Sequence, residues 1–106
     1  ISPYRTDRDD LAAVVRTVSE LRRRGVEVVF VELPVPARFL ALYDDPADHD
    51  RFRVLLETTA AELDVPLLRS SEDFSDNDFV DFTHLDAAGA ARFSADLGTQ
   101  LAALGV

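Results

Sequence analysis

The sequence predicts an α/β protein: part of a three-layer α/β/α parallel sheet, with two strands at about 26–32 and 65–69 and three main helices. Two observations carry this: apolar residues recur at helical spacing in three long segments, and two short β-branched runs lie between them. The order helix, strand, helix, strand is a third, because alternation of this kind calls for right-handed crossovers between parallel strands. With 106 residues, 47% of them hydrophobic, the chain can build one compact core but not two, so residues 1–106 are read as a single, partial domain.

Thr6 or Asp7 is positioned to cap a first helix running to about Arg24. Leu11, Val14, Val15, Val18 and Leu21 form its apolar stripe, and Asp9 and Asp10 lie in its first turn. Arg22, Arg23 and Arg24 suit the negative end of the helix dipole and are read as solvated there rather than as an anion site. Gly25 supplies the left-handed stop. Val26 to Glu32 is β-branched and almost uninterrupted, as expected of a strand covered on both faces, and Val29 and Phe30 are expected in the core.

Pro34 and Pro36 end the ladder, and a loop at 33–38 leads into a short helical turn from Arg38 to Tyr43. After the polar break Asp44-Asp45-Pro46, a second long helix is predicted from about Ala47 to Leu63. Its apolar face is Phe52, Leu55, Leu56, Ala60 and Leu63. Val65 to Arg69 forms the second strand, with Pro66 near its start, where a missing donor is tolerated. Residues 70–85 make a polar, acidic loop. Asp86 then caps a last helix with Ala90, Phe93, Leu97, Leu101 and Leu104 on its apolar face, stopped by Gly105.

The formal charge is −9, and all 11 basic residues are arginines. Such a surface repels phosphate backbones and anionic lipid, so no nucleic-acid partner is expected. With no cysteine, disulfides, thiolate metal sites and cysteine catalysis are excluded. The redox compartment stays open, an extracytoplasmic one included. No apolar run approaches the roughly 20 residues that span a bilayer. Because the chain opens at Ile1 and not at methionine, a longer parent protein is expected.

Ligands of open parallel sheets gather at the carboxyl ends of the strands, which makes the loop from Ser70 to Leu85 the leading site candidate. It closes with Asp81-Phe82-Thr83-His84-Leu85-Asp86. A neutral imidazole accepts a proton on one nitrogen while its other nitrogen donates to an orienting acceptor, and a carboxylate three residues away on a tight loop can be that acceptor. The candidate catalytic residues are therefore His84 and Asp81.

The run Asp81-x-x-His84-Leu85-Asp86-x-x-Gly89, followed by an amphipathic final helix, resembles the last conserved block of the SGNH/GDSL hydrolases. In that family the block reads Asp-x-x-His-Leu-Asn-x-x-Gly. Asp86 replaces the asparagine and keeps its N-capping ability. The strand ending at Leu33-Pro34, the helix after it and the strand from Val65 fall in the order of the family's C-terminal half.

The resemblance implies a flavodoxin-like sheet, His84 as general base and then acid, and Asp81 as its orienting carboxylate. It implies a serine esterase or acyltransferase acting on acyl esters, either small molecules or carbohydrates, with no cofactor and no metal. The family's Gly-Asp-Ser nucleophile turn, its glycine donor and its Gly-x-Asn block have no counterpart here. Ser2, Ser19, Ser70, Ser71, Ser75 and Ser94 all lack a glycine-flanked turn after a strand. The chain alone is therefore expected to hydrolyse nothing. The alternative is a non-catalytic α/β binding or assembly module accessory to an acyltransferase system.

Blander readings stand beside these. His49, between Asp48 and Asp50, is expected to be solvated and idle. Glu72, Asp73, Asp76, Asp78, Asp81 and Asp86, with His84, are read as a solvated acidic loop in preference to a metal site, since no calcium-loop glycine or His-x-x-x-His pair accompanies them. Phe74, Phe79 and Phe82 are read as aromatics that pin the loop rather than line a substrate pocket, Phe82 least securely. Two strands make a narrow sheet, so a homodimer through the edge of strand 26–32 is expected.

Overall fold

A computed structural model describes residues 8–106. The chain is mixed α/β, with four helices and one two-stranded parallel sheet in which β1 (Phe30–Glu32) pairs with β2 (Leu67–Arg69). The helices are α1 (Arg8–Arg23), α2 (Ala37–Leu40), α3 (Asp48–Leu63) and α4 (Ala87–Leu104). Two compact units can be distinguished. The first takes the described residues up to Phe30 with Tyr43–Leu67, and the second takes Val31–Leu42 with Leu68–Val106.

In the first unit α1 ends as the sequence predicts, with Gly25 at φ +78° in the left-handed region that glycine enters at little cost. The expected caps Thr6 and Asp7 lie outside the described residues. All three arginines of the triplet stay exposed, as expected, and each also has a protein partner. Arg22 donates to the carbonyls of Leu63 and Asp64 (2.7 Å to the latter), closing acceptors that the last turn of α3 leaves without helical partners. Arg23 and Arg24 pair with Glu20 one turn back. Helix α3 stops at Asp64, whose φ of 54° makes it a non-glycine left-handed cap. Val18, Ala60 and Val65 are buried here, joined by Thr59, whose hydroxyl donates to the Leu55 carbonyl at 2.7 Å.

Both strands are shorter than the sequence predicts. The first is Phe30–Glu32 instead of 26–32, and the second is Leu67–Arg69 instead of 65–69. A strand is defined by its ladder as much as by its residues. Pro66 has no N–H to give, and the pairing opens only where its carbonyl accepts the Phe30 N–H at 2.8 Å. Val26 to Val29 find no ladder partner. Val26 is 45% exposed, and Val29 and Phe30 are half-buried instead of core residues.

In the second unit Leu68 and Phe79 are buried, and Pro36 is enclosed where it opens α2. Arg69 donates through both Nε and Nη2 to one Glu32 carboxylate oxygen, at 3.1 and 3.0 Å. Helix α4 is capped as predicted. The Asp86 carboxylate accepts the Gly89 N–H at 2.7 Å, and Gly105 ends the helix at φ +79°.

The two glycines inside α4 differ. A Cβ on Gly89 would lie 3.1 Å from Leu85 Cδ2 and 3.2 Å from the Asp78 carbonyl oxygen, which itself accepts the Asp86 N–H at 2.7 Å. A Cβ on Gly98 would meet nothing within 4 Å. Gly98→Ala is therefore expected to stabilise the chain by about 0.5–1 kcal/mol, the helix-propensity difference alone. Gly89→Ala should forfeit that gain and destabilise by about 1 kcal/mol through the displaced loop carbonyl. Parallel urea titrations separate the two, and equal stabilisation by both would contradict the close packing of Gly89.

Candidate functional site

The predicted loop is more structured than its polarity suggests. Asp76–Asp78 form a 3-10 turn, with Ser75 and Asp78 closing a capping box across it. Phe79 and Leu85 then pair in an antiparallel bridge, the Val80 N–H donates to the His84 carbonyl at 2.8 Å, and the Asp86 N–H donates to the Asp78 carbonyl. Residues 79–85 are thus a small hairpin whose tip carries Asp81 to Thr83. Phe79 turns inward at 7% exposure, while Val80 points to solvent at 68%.

The structure brings Asp81 and His84 together. His84 Nδ1 lies 2.8 Å from Asp81 Oδ2 and 2.9 Å from Oδ1, and the Thr83 hydroxyl sits 3.1 Å from the same nitrogen. Asp81 Oδ1 also accepts the backbone N–H groups of Thr83 and His84, at 2.8 and 2.7 Å. One short acidic side chain thus folds the tip into an Asx turn and holds the imidazole at the end of that turn. A proton on Nδ1 satisfies this arrangement and leaves the Nε2 lone pair available, the tautomer a general base needs. No hydrogen bond reaches Nε2 among the described residues.

The pair is open to water, with the His84 and Asp81 side chains 73% and 53% exposed. The Asp81 carboxyl is held below the usual aspartate range, chiefly by the Thr83 N–H; the His84 ring and N–H add to this, and desolvation opposes it. Because the folded-state value is the lower one, the turn's contribution to stability is complete above the ordinary aspartate value of about 3.9 and is lost as pH falls through the folded value. A carbon-13 titration of the Asp81 carboxyl should show a midpoint below that of an unstructured aspartate, with the Thr83 and His84 amides shifting at the same pH. A midpoint at or above the unstructured value would refute the turn.

The acidic series lies at the surface as the sequence suggests, with Glu72, Asp73 and Asp81 exposed and Asp76, Asp78 and Asp86 half-buried, but several of its carboxylates also have fixed partners. Asp76 accepts the Ala37 N–H at 2.8 Å, Asp78 accepts the Ser75 N–H at 2.8 Å, Asp86 caps α4, and Glu72 and Asp78 lie 3.8 and 3.6 Å from Arg92. Spent on backbone donors and a guanidinium, these carboxylates do not converge on a cation. Among the described residues no three His, Asp or Glu side chains are grouped to hold a metal.

Of the aromatics, Phe79 is buried and Phe74 lies under the Arg92 guanidinium at 4.7 Å, so both pin the loop as expected. Phe82 remains exposed. His49 departs from its solvated reading. It is partly buried between Tyr43 and Phe52, with ring centroids 5.7 and 6.3 Å away, and its Nδ1 is enclosed without a hydrogen-bond partner.

Most serine hydroxyls are engaged elsewhere. Ser71 donates to Asp96 at 2.7 Å, Ser75 pairs with Asp78 at 3.4 Å, Ser70 accepts the Glu72 N–H at 3.1 Å, and Ser19 donates to the Val15 carbonyl at 3.0 Å. Among the described residues, none is hydrogen-bonded to His84.

Sequence reasoning missed Arg38. Its guanidinium donates to the carbonyls of Asp76, Phe79 and Asp81, at 3.0, 3.3 and 2.6 Å. The available signal was a lone cation in the otherwise uncharged run from Leu33 to Tyr43. No helix among the described residues is long and apolar enough to cross a membrane. Set against protein-family models, curated proteins and solved structures, the chain matches none of them.

Proposed function

We propose that the chain is the C-terminal portion of an SGNH-like serine esterase or acyltransferase, with the two strands forming part of a three-layer, flavodoxin-like parallel sheet. His84 takes the proton of a serine hydroxyl contributed from outside Ile1–Val106 and returns it to the leaving group. Asp81 fixes the ring and stabilises the imidazolium formed on the way. The substrate class is an acyl ester, on a small molecule or a carbohydrate. The observation that carries this reading is the 2.8 Å contact between His84 Nδ1 and Asp81 Oδ2, with Nε2 left open.

The exposure of the pair leaves Nε2 accessible to a hydroxyl brought by another segment, which is compatible with the same reading. A fluorophosphonate probe tests it. The parent protein should be labelled on a serine outside Ile1–Val106, His84→Ala should abolish that labelling, and the chain alone should neither label nor turn over p-nitrophenyl acetate. Labelling of the parent that is indifferent to His84 would favour the accessory binding module instead.

The chain alone is also proposed to self-associate through the edge of β1, because the two-stranded sheet of the described residues is narrower than an independent sheet usually is. Light scattering should give a dimer at high micromolar concentration. A stable monomer there would rule the edge out.

A further inference from the structure

We infer that Arg38 is the positioning residue of the Asp81–His84 pair, an inference that rests on the role proposed for that pair. In the 79–85 hairpin the Val80 N–H turns toward the His84 strand, so the carbonyls of Phe79 and Asp81 turn the other way, onto an edge with no ladder partner. Arg38 Nη2 donates to both, at 3.3 and 2.6 Å, while Nη1 holds the Asp76 carbonyl of the preceding 3-10 turn at 3.0 Å. The planar guanidinium presents its donors in a fixed fork, which lets one side chain set the spacing of three carbonyls at once.

Arg38 is itself well fixed. It follows the enclosed Pro36, whose ring sets the backbone angle, and Ala37, whose N–H is held by the Asp76 carboxylate at 2.8 Å. The hold is therefore reciprocal: Asp76 takes a donor from the start of α2 and gives its carbonyl back to Arg38. Asp81 is gripped at both ends, its carbonyl by Arg38 and its carboxylate by Thr83 and His84. Without Arg38 the arm that carries the carboxylate loses its outer anchor, the contacts of Asp81 to the Thr83 and His84 amides and to Nδ1 loosen, and the direction of the imidazole is no longer set.

Nitrogen-15 spectra of the His84 ring in the chain, recorded without substrate, test this. Arg38→Gln should move the Nδ1 resonance toward that of a freely rotating imidazole and speed the exchange of the His84 and Thr83 amides by at least about tenfold, while α4 amides keep their positions. Arg38→Lys, with a point charge in place of the fork, should recover only part of the change. An unaltered His84 ring in Arg38→Gln overturns the inference. So does loss of the α4 amides in both variants, which would make Arg38 a folding residue; if only Arg38→Gln loses them, the ring of Arg38→Lys decides by the same criteria. Because no substrate is involved, a parent whose hydrolysis ignores His84 would defeat the esterase reading and leave this result standing.

Discussion

Phe79→Ala is expected to destabilise the chain by about 3–5 kcal/mol, the usual consequence of truncating a buried aromatic. Phe79 is 7% exposed and lies at the base of the hairpin, bridged to Leu85 across the ladder. For a small domain whose whole stability is about 5–15 kcal/mol, this removes a large fraction. The transition temperature should fall by more than about 12 °C. The consequence reaches the site, because the Phe79 ring anchors the arm whose next two residues are Val80 and Asp81. Thermal denaturation followed by circular dichroism checks the magnitude, and a loss under about 1 kcal/mol would mean that the hairpin is held mainly by polar contacts.

His84→Ala should do the reverse, leaving stability nearly unchanged and removing the proposed chemistry. The imidazole is largely exposed and its bonding is confined to the hairpin tip, so unfolding titrations of the chain should shift by less than about 0.5 kcal/mol. If His84 has the role proposed for it, kcat for ester hydrolysis by the parent protein should fall by roughly 10⁴-fold or more, with KM little affected, since a base that acts only in the transition state contributes nothing to ground-state binding. Asp81→Asn should approach the same loss, because an amide cannot hold Nδ1–H as the carboxylate does and the ring is free to present the wrong tautomer. A parent that retains its activity in both variants would assign the pair to capping the tip of a hairpin.

The sequence made the helices legible because each of their signals is local. Gly25, Gly105 and the Asp86 cap act within a few residues of where they stand, and the apolar spacing of α1, α3 and α4 needs no knowledge of the rest of the chain. The Asp81–His84 contact was legible for the same reason, being a three-residue interaction closed by the turn that Asp81 itself nucleates. The ends of the strands were not. The run from Val26 to Glu32 is uniformly β-branched, yet only Phe30–Glu32 pairs, because a ladder bond depends on which groups the facing segment can offer and Pro66 offers only a carbonyl.

Side chains that act across long separations were equally hidden. Arg22 on the end of α3, the Asp76 carboxylate on Ala37, and Arg38 on three loop carbonyls join residues about 40 positions apart. Local composition shows that such groups are charged. Their partners are settled only when folding has left particular donors facing particular acceptors.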